Sequence, residues 1–366
     1  MFALQDTFTH YATCCIGDIH SNTDIHIQVE LHLHLDGSIR FSTNYDIELI
    51  LSQQTRGTPL KGARTVEELR KVLVTNEPAN LSKVLEAFDL FLPVVRGDKA
   101  AIERIAYEMC EDQAANGVIY LEGRYSPHLL CVPGGEMNAV DVVEAVKRGF
   151  DRGEAKFGVK ARSIICCIRD GIFRIRILFF TNESSATNCR HLGVVAIDVA
   201  GSAHGADEQY EQEVVNIFKE AFKRGIHRTV HAGESGGAKE VLKAITDMHA
   251  ERIGHGYHVM RDPEIYKKYF IDDKRIHLEA CPYSSVMTGS VSLNWKNHPI
   301  AAWARDKVNF SISRDDPTCF DNTMLSELQL AKDEIGLSVH KLWATAPHAP
   351  MSHVVTRSSQ GKFRLE

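Results

Sequence analysis

The stretch VELHLHLDGS, residues 29–38, places His32 and His34 one residue apart inside a run of valine and leucine. A short apolar run of this kind predicts a buried β-strand. Side chains two apart in a strand point to the same side, so we expect His32 and His34 on one face and Leu31 and Leu33 on the other. The pair has four ring nitrogens to satisfy, and a metal ion would satisfy two of them. By itself the pattern is weak evidence for a metal, because a buried histidine is more often a hydrogen-bonded core residue.

The composition excludes several classes of protein. The 366 residues are 44% hydrophobic and 25% charged, which is typical of a globular enzyme with one large domain or two smaller ones. The net charge of -6 and the lack of a Lys/Arg-rich tract argue against nucleic acid or an anionic membrane as the partner. No apolar run approaches the roughly 20 residues that span a bilayer, and the N-terminus lacks the basic start and apolar core of a signal peptide. The expected partner is a small molecule or another protein.

The nine cysteines do not suggest a disulfide framework. Their number is odd, and residues 14–15 and 166–167 are adjacent cysteine pairs. Reduced, mostly buried thiols fit a reducing compartment. We therefore expect a cytoplasmic protein.

Eight strand-like segments alternate with longer helical segments along the chain. We predict strands at 29–34, 118–125, 160–167, 194–200, 228–232, 252–256, 276–281 and 308–313. Apolar residues at three- and four-residue spacing predict helices at 81–93, 99–116, 141–157, 208–224, 238–249 and 263–269. Repeated βα units imply a parallel sheet, and eight of them fit a single (β/α)8 TIM-type barrel of the α/β class, with extra helices. Its active site would lie at the C-terminal ends of the strands.

An open, doubly wound sheet is the alternative architecture. A phosphate-binding glycine loop would favour it, but neither GxGxxG nor a P-loop follows any of the predicted strands. Nothing in the sequence divides the chain in two. We expect an N-terminal extension of unknown order at 1–28, one barrel domain at 29–343 and an atypical tail at 344–366.

Polar residues recur at the predicted C-terminal ends of the strands. TVHAGE places His231 at the end of the fifth strand with Glu234 in the following loop, GHGY places His255 after the sixth, and SRDDP places Asp315 and Asp316 after the eighth. Each has an ordinary explanation, as a surface carboxylate, a turn residue or a helix cap. In a barrel, however, all of them would converge with the histidine pair on one mouth.

Three imidazoles and one carboxylate form a ligand set that suits Zn²⁺ and leaves a position open for water. Such a site lowers the pKa of bound water to about 7 and so provides a nucleophile at neutral pH. The sequence therefore predicts a metal-dependent hydrolase.

Seven motifs, in order and with similar spacing, resemble the adenosine deaminases of the amidohydrolase superfamily. They are HLHLDGS, RYSPHLL, AIDVAG, HRTVHAGES, RIGHGYH, CPYSS and DDP. The resemblance is close over about residues 29–168 and 194–317. It implies one Zn²⁺ per chain with four ligands, His32, His34, His231 and Asp315.

The same resemblance assigns roles around the substrate, which His34 also faces. Glu234 matches the residue that carries a proton to purine N1, and His255 matches the residue that orients the attacking hydroxide. Asp316 matches the partner of purine N7 and Gly201 a backbone contact to ring N3. The apolar gate that the family has over the pocket corresponds in this chain to Leu81, Val84, Leu85 and Phe88.

Asp36 matches the partner of the ribose 5′-hydroxyl, and this residue discriminates between the candidate substrates. The resemblance implies hydrolysis of adenosine and 2′-deoxyadenosine to inosine and 2′-deoxyinosine with release of ammonia. Relatives that act on adenine, AMP or an N6-methylated adenosine nucleotide are the alternatives. Free adenine offers no 5′-hydroxyl, and a carboxylate would repel a phosphate.

The reaction itself requires the same groups. Attack at purine C6 breaks the ring conjugation, so a nucleophile and an acid for the adjacent ring nitrogen are both needed. Zinc deaminases that act on cytosine carry HxE and PCxxC instead, and this chain has neither. An inactive metal-binding scaffold with unknown protein partners is the alternative from another class, and the intact Glu234 and His255 argue against it.

Three features depart from the family pattern. Residues 168–193 read as strand-prone where the family has a polar segment and a helix, and the chain from 344 onward lacks the family's terminal helices. Arg314 stands where the family has threonine. Because side chains alternate along a strand, Arg314 beside an inward-facing Asp315 should point into the outer helix layer, where it needs a carboxylate partner.

Overall fold

The main sheet has eight parallel strands arranged in chain order. The computed structural model describes residues 28–51, 63–169, 189–201, 210–345, 355–357 and 363–365. The eight strands are β1 Gln28–His34, β2 Val118–Tyr125, β3 Lys160–Ile168, β4 Val194–Ala200, β5 His227–Ala232, β6 Arg252–His255, β7 His277–Ala280 and β8 Phe310–Ile312. The predicted set of eight strands is confirmed.

The sheet closes into a barrel where β1 meets the chain that follows β8. The backbone N–H of His34 donates to the carbonyl of Asp315 at 3.0 Å, and the N–H of Asp315 donates to the carbonyl of His32 at 3.2 Å. These bonds form a parallel bridge between Leu33 and Asp315. All strands run in one direction, so their C-terminal ends share one mouth, as the (β/α)8 prediction requires.

Helices and short strands complete the described chain. The α-helices are α1 Phe41–Leu51, α2 Val66–Leu73, α3 Leu81–Leu85, α4 Phe88–Val95, α5 Lys99–Ala115, α6 Ala139–Phe157, α7 Gln212–Lys223, α8 Ala238–Thr246, α9 Pro263–Tyr266, α10 Pro282–Met287, α11 Pro299–Asp306, α12 Pro317–Phe320, α13 Met324–Asp333 and α14 Val339–Thr345. Short 3-10 helices lie at Cys189–Leu192, Tyr257–Arg261 and Trp295–Asn297, and a π-helix at Lys267–Asp272 follows α9 directly. Two short strands, β9 Val355–Arg357 and β10 Phe363–Leu365, pair antiparallel. Across the described ranges, no helix is both long and apolar enough to cross a membrane.

Side-chain caps fix the ends of the two longest of these helices. The Asp98 carboxylate accepts hydrogen bonds from the first backbone N–H groups of α5, and Asn138 and Asp141 form a capping box at the start of α6. The latter helix ends at Gly158, whose φ of 75° lies in the left-handed region that favours glycine.

The helix predicted at 81–93 is instead two helices, α3 and α4. In the turn between them the N–H of Ala87 bonds to the carbonyl of Val84, three residues back, and this tightening ends α3. The second helix also continues past Pro93 to Val95. Most of the segment predicted to be strand-prone, residues 170–188, lies outside the described residues.

The expected alternation of β1 is wrong at one position. Leu31 packs with Val29 and Tyr120 in a small separate cluster, whereas Leu33 belongs to the main apolar core between strands and helices. A register irregularity between Glu30 and Leu33 shifts the alternation by one residue. Leu31 and Leu33 therefore do not share a face.

Buried charged side chains fill the middle of the barrel, where barrels of this type usually pack branched apolar residues. Arg124 lies 2.7 Å from Asp198 and 2.7 Å from Glu279, and Arg252 lies 2.6 Å from Glu279 and from Glu122. All five residues, here called the interior charge cluster, are buried. Because an unpaired buried charge is costly, these residues stabilise the barrel only as a paired set.

Arg314 points into the outer layer and has the carboxylate partner that it requires. Its Nε lies 3.1 Å from Oε1 of Glu30, and its backbone N–H donates to the same oxygen at 2.8 Å. The amide of Gln113 on α5 donates to the other oxygen of Glu30. Both charged residues are buried, so each depends on the other for its counter-ion. The predicted orientation of Arg314 is confirmed.

We expect Arg314→Met to lower the free energy of unfolding by about 3–5 kcal/mol, because it leaves the Glu30 carboxylate buried without its counter-ion. Urea denaturation would measure the loss. The matched control is Arg305→Met, which removes an exposed arginine paired with Asp306 and should cost less than about 1 kcal/mol. Equal losses in the two variants would show that the buried pair does not stabilise the fold.

Candidate metal centre and active site

The four predicted metal ligands meet at the mouth of the barrel. Nε2 of His34 lies 3.2 Å from Nε2 of His231 and 3.4 Å from Oδ1 of Asp315. Nε2 of His32 lies 3.3 Å from the same Asp315 oxygen and has no hydrogen-bond partner. One ligand atom from each residue lies within 4.8 Å of all the others. Strands β1 and β5 and the turn after β8 thus aim four donor atoms at a common point.

These separations fit a bound metal ion. Ligand atoms about 2.0–2.1 Å from a tetrahedral metal lie about 3.3–3.4 Å from one another, and the measured separations of 3.2–3.4 Å agree. A second group, His255, Cys281 and Asp315, also has metal-ligand spacing. The first group brings four donor residues together and the second brings three, and four is the usual number of ligands at a tetrahedral metal. The first group is the better metal site.

Carboxylates hold two of the imidazoles from behind. Nδ1 of His32 lies 2.7 Å from Oε2 of Glu279, and Nδ1 of His231 lies 2.9 Å from Oδ2 of Asp198. A carboxylate in this position orients the ring and raises its basicity toward a metal. The sequence interpretation missed both residues, although each is the one acidic residue of its strand, VVAIDVA for Asp198 and HLEA for Glu279.

The charges around the ligands also favour a divalent cation. Burial alone would raise the pKa of Asp198, but His231 and Arg124 hold it below its usual range. Burial is likewise outweighed at Glu279, whose pKa Arg124 and Arg252 hold well below its usual range. Together with Asp315, the interior charge cluster sets four carboxylates against two guanidiniums. A divalent cation would offset this excess of carboxylates.

His255 and Glu234 lie beside this group. Nε2 of His255 lies 3.6 Å from Oε2 of Glu234 and 3.8 Å from Oδ2 of Asp315. Burial lowers the pKa of His255 to about 3, so its ring is neutral. Burial, together with the nearby Asp315 carboxylate, raises the pKa of Glu234 to about 7. A carboxyl group that titrates near neutral pH can both give and take a proton.

Asp36 and Asp316 form a second acidic side of the mouth. Burial raises the pKa of Asp36 to about 7. Burial also raises the pKa of Asp316 well above its usual value, and the Asp315 and Asp36 carboxylates add to this effect. The Asp316 carboxyl group packs against Gly37, where a Cβ atom would lie 1.8 Å from Oδ1 of Asp316. Glycine at position 37 therefore allows the Asp316 carboxyl group to approach the main chain beside Asp36.

The backbone is strained where it presents two of these residues. His255 and Asp315 have φ angles of 66° and 70°, in the left-handed region that most side chains avoid. Strain of this kind is typical of functional positions. Gly254 on β6 leaves room for the imidazole of His32, because a Cβ atom at position 254 would lie 2.7 Å from Cε1 of His32.

Ser284, from the CPYSS motif, is a further residue to which the sequence interpretation gave no role. Its hydroxyl donates to Oδ2 of Asp315 at 2.7 Å. The other oxygen, Oδ1, faces the imidazoles of His32 and His34. The serine thus fixes which carboxylate oxygen is directed at the metal position.

A cavity of about 350 Å³ opens above the ligands, a size suited to a small molecule. The predicted metal, catalytic and substrate-binding residues that line it are His34, Asp36, Gly201, His231, Glu234, His255, Asp315 and Asp316. The predicted apolar gate lines it from α3 and α4 with Leu81, Val84, Leu85 and Phe88. Of the predicted site residues, His32 is absent from the lining, because its buried ring lies behind the others. One pocket therefore unites an apolar wall with the ligands and the titrating groups.

Comparison with known proteins agrees with this geometry. Residues 28–359 match the family model for adenosine deaminase. The chain is 40% identical over 316 residues to the adenosine deaminase of Danio rerio, covering 83% of this chain and 84% of that protein. It is 39% identical over 320 residues to the adenosine deaminase of Gallus gallus, covering 84% of each.

A solved structure gives a more distant comparison. The crystal structure of an Arabidopsis N6-mAMP deaminase is 26% identical with a TM-score of 0.72, and the match covers 89% of this chain and 92% of that chain. The family match spans the whole barrel, including every strand that contributes to the mouth. This chain therefore belongs to the adenosine deaminase family.

Proposed function

We propose that this protein catalyses the zinc-dependent hydrolytic deamination of adenosine and 2′-deoxyadenosine, which yields inosine or 2′-deoxyinosine and ammonia. The observation that carries the proposal is the convergence of the four metal ligands at the base of one cavity, which Glu234 and His255 also line. Membership of the adenosine deaminase family supports the same reaction.

Zinc is the metal that the ligand set favours. Three imidazole nitrogens and one carboxylate suit Zn²⁺, whereas Mg²⁺ and Ca²⁺ prefer sites made of oxygen alone. Once bound, zinc would lower the pKa of a coordinated water molecule to about 7.

The protein's own residues supply the proton transfers. Water adds at C6 of the purine, and Glu234 delivers a proton to the adjacent N1, which takes up the electron pair displaced from the ring. His255, which is neutral and buried, hydrogen-bonds the attacking water and directs it at C6. The C6 amine takes the proton that the water gave up on bonding to C6. The C6–N bond then breaks as the C6 hydroxyl becomes a carbonyl and returns its proton to Glu234, so one water is consumed for each ammonia released.

The remaining residues hold the nucleoside. Asp316 is proposed to bond purine N7, the backbone of Gly201 to bond N3, and Asp36 to bond the ribose 5′-hydroxyl. The apolar gate on α3 and α4 would cover the base and exclude water, which strengthens polar contacts inside the cavity.

A nucleotide substrate is the second candidate, since the Arabidopsis structure is that of an N6-mAMP deaminase. The cavity argues for the nucleoside, because its lining carries the carboxyl groups of Asp36, Glu86 and Asp89, and ionised carboxylates would repel a 5′-phosphate. Arg96 is the one lysine or arginine among the described lining residues, and its Nε is already bonded to the carbonyl of Leu129 at 2.6 Å.

A cytosolic location is also part of the proposal. Cys110, Cys166, Cys167, Cys281 and Cys319 are buried thiols without disulfide bonds, which is the state expected in a reducing compartment.

The metal proposal predicts stoichiometric zinc in the purified protein. His231→Ala should lose both zinc and adenosine turnover, because it removes one of four ligands. The control His227→Ala changes an exposed histidine at the other end of β5 and should keep both. Elemental analysis combined with the absorbance change from adenosine to inosine would decide. A folded wild-type protein that binds no divalent metal would rule out the proposal.

Glu234→Gln should reduce kcat for adenosine by about 10²-fold or more, the scale of general acid catalysis, while zinc stays bound. The amide keeps the size of the side chain but cannot carry the proton. Glu144→Gln, on the exposed side of α6, is the matched control and should retain the wild-type rate. An unchanged rate in Glu234→Gln would remove this residue from the mechanism.

Asp36→Ala should weaken kcat/KM for adenosine more than for 5′-deoxyadenosine, because only adenosine can use the lost hydrogen bond, worth roughly 1–3 kcal/mol. Steady-state kinetics with both nucleosides on wild type and variant would give the difference. Equal losses for the two substrates would place Asp36 away from the 5′-hydroxyl.

A further inference from the structure

We propose that Arg169, Tyr210 and Glu240 form a positioning cluster that holds the turn between His231 and Glu234 in its active geometry. The inference rests on the metal site and the reaction proposed above. None of the three side chains lines the cavity, so their effect on the reaction would pass through the main chain of this turn.

The carbonyl of His231 lacks a strand partner on one side. Within the described strands, β4 pairs with β5 only as far as Arg228. The carbonyl of Ala232 bonds to the N–H of Gly256 on the β6 side, so the carbonyl of the preceding His231 faces the β4 side. A buried backbone acceptor in this position requires another donor.

Two side chains supply that donor. Nη2 of Arg169 donates to the His231 carbonyl at 2.8 Å, and the hydroxyl of Tyr210 donates to it at 3.2 Å. The guanidinium of Arg169 lies over the Tyr210 ring, 5.1 Å from its centroid, which orients the two donors together. The backbone N–H of Arg169 bonds to the carbonyl of Ala200 at 3.1 Å. The ends of β3 and β4 are thereby connected to a metal ligand on β5.

Glu240 connects the same arginine to the other end of the turn. Its Oε1 lies 2.7 Å from Nη1 of Arg169, and its Oε2 accepts the backbone N–H of Gly233 at 2.7 Å. Gly233 has a φ of 69° and directly precedes Glu234. A buried carboxylate on α8 therefore fixes the residue at which the chain turns from the metal ligand toward the proton carrier.

The geometry requires a guanidinium at position 169. Arg169 uses one nitrogen for the His231 carbonyl and another for the Glu240 carboxylate, a forked arrangement that a lysine ammonium cannot reproduce fully. Without it, the Tyr210 hydroxyl is the one side-chain donor to the His231 carbonyl that remains among the described residues, and Glu240 loses the arginine with which it is paired. We expect the ring of His231 and the carboxylate of Glu234 to lose their relative positions.

The test combines metal release with steady-state kinetics on the zinc-loaded full-length protein. Zn²⁺ transfer to a chromogenic chelator, and kcat and KM for adenosine, would be measured for Arg169→Met, Arg169→Lys and Tyr210→Phe. Arg169→Met should release zinc about 10–100-fold faster and lose kcat on a similar scale, with little change in KM. Tyr210→Phe should show a smaller change in the same direction, and Arg169→Lys should recover part of the loss. Arg162→Met is the control, because Arg162 lies on the same strand β3 but pairs with Glu154 away from the mouth.

The outcomes separate this inference from the proposed function. A wild-type protein without zinc or deamination would refute the proposed function, whatever the variants show. With an active wild type, zinc release and kcat in Arg169→Met and Tyr210→Phe that match Arg162→Met would refute the positioning cluster. If Arg169→Met does not fold, Tyr210→Phe decides alone, because it removes one hydroxyl and keeps the ring.

Discussion

The backbone bridge between β1 and the residues after β8 is the contact on which the site depends. It closes the barrel, and its two hydrogen bonds run through His32, His34 and Asp315 themselves. Closing the barrel therefore also brings the metal ligands together, since a barrel left open at this point would separate the histidine pair from the Asp315 carboxylate. The positive φ of Asp315 is tolerated because the bridge holds its backbone on both sides.

Inside the barrel, the interior charge cluster orients the metal-ligand histidines. Arg124 contacts Asp198 and Glu279, and these two carboxylates orient the imidazoles of His231 and His32. An apolar barrel interior would stabilise the fold without regard to ring orientation, whereas this cluster is satisfied only when every pair forms. The cluster and Asp315 together carry more carboxylates than guanidiniums. A divalent cation bound beside them would therefore stabilise the folded state as well as serve the reaction.

Several features of the sequence predicted the fold well. The eight strands lie close to their predicted bounds because β-rich runs recur at intervals that helices separate. The outward direction of Arg314 followed from alternation beside Asp315. Alternation failed at Leu31, where a register irregularity in β1 adds a residue, and the helix at 81–93 divided at a tightened turn. The register irregularity depends on how β1 pairs with its neighbour β2, which periodicity within one segment cannot report, whereas the helix divides at a local hydrogen bond between Ala87 and Val84.

By itself, the sequence determined which residue types stand at the strand ends and, through the parallel βα order, that they face one mouth. Only the tertiary structure decided which of them approach closely enough to share an ion, and which carboxylates stand behind the imidazoles. In the sequence, Asp198 and Glu279 are each the one acidic residue of their strands, and nothing there connects them. In the folded barrel, Arg124 lies between them and pairs with both. The physical reason is that a buried charge is defined by its partners, and here those partners come from strands far apart in the chain.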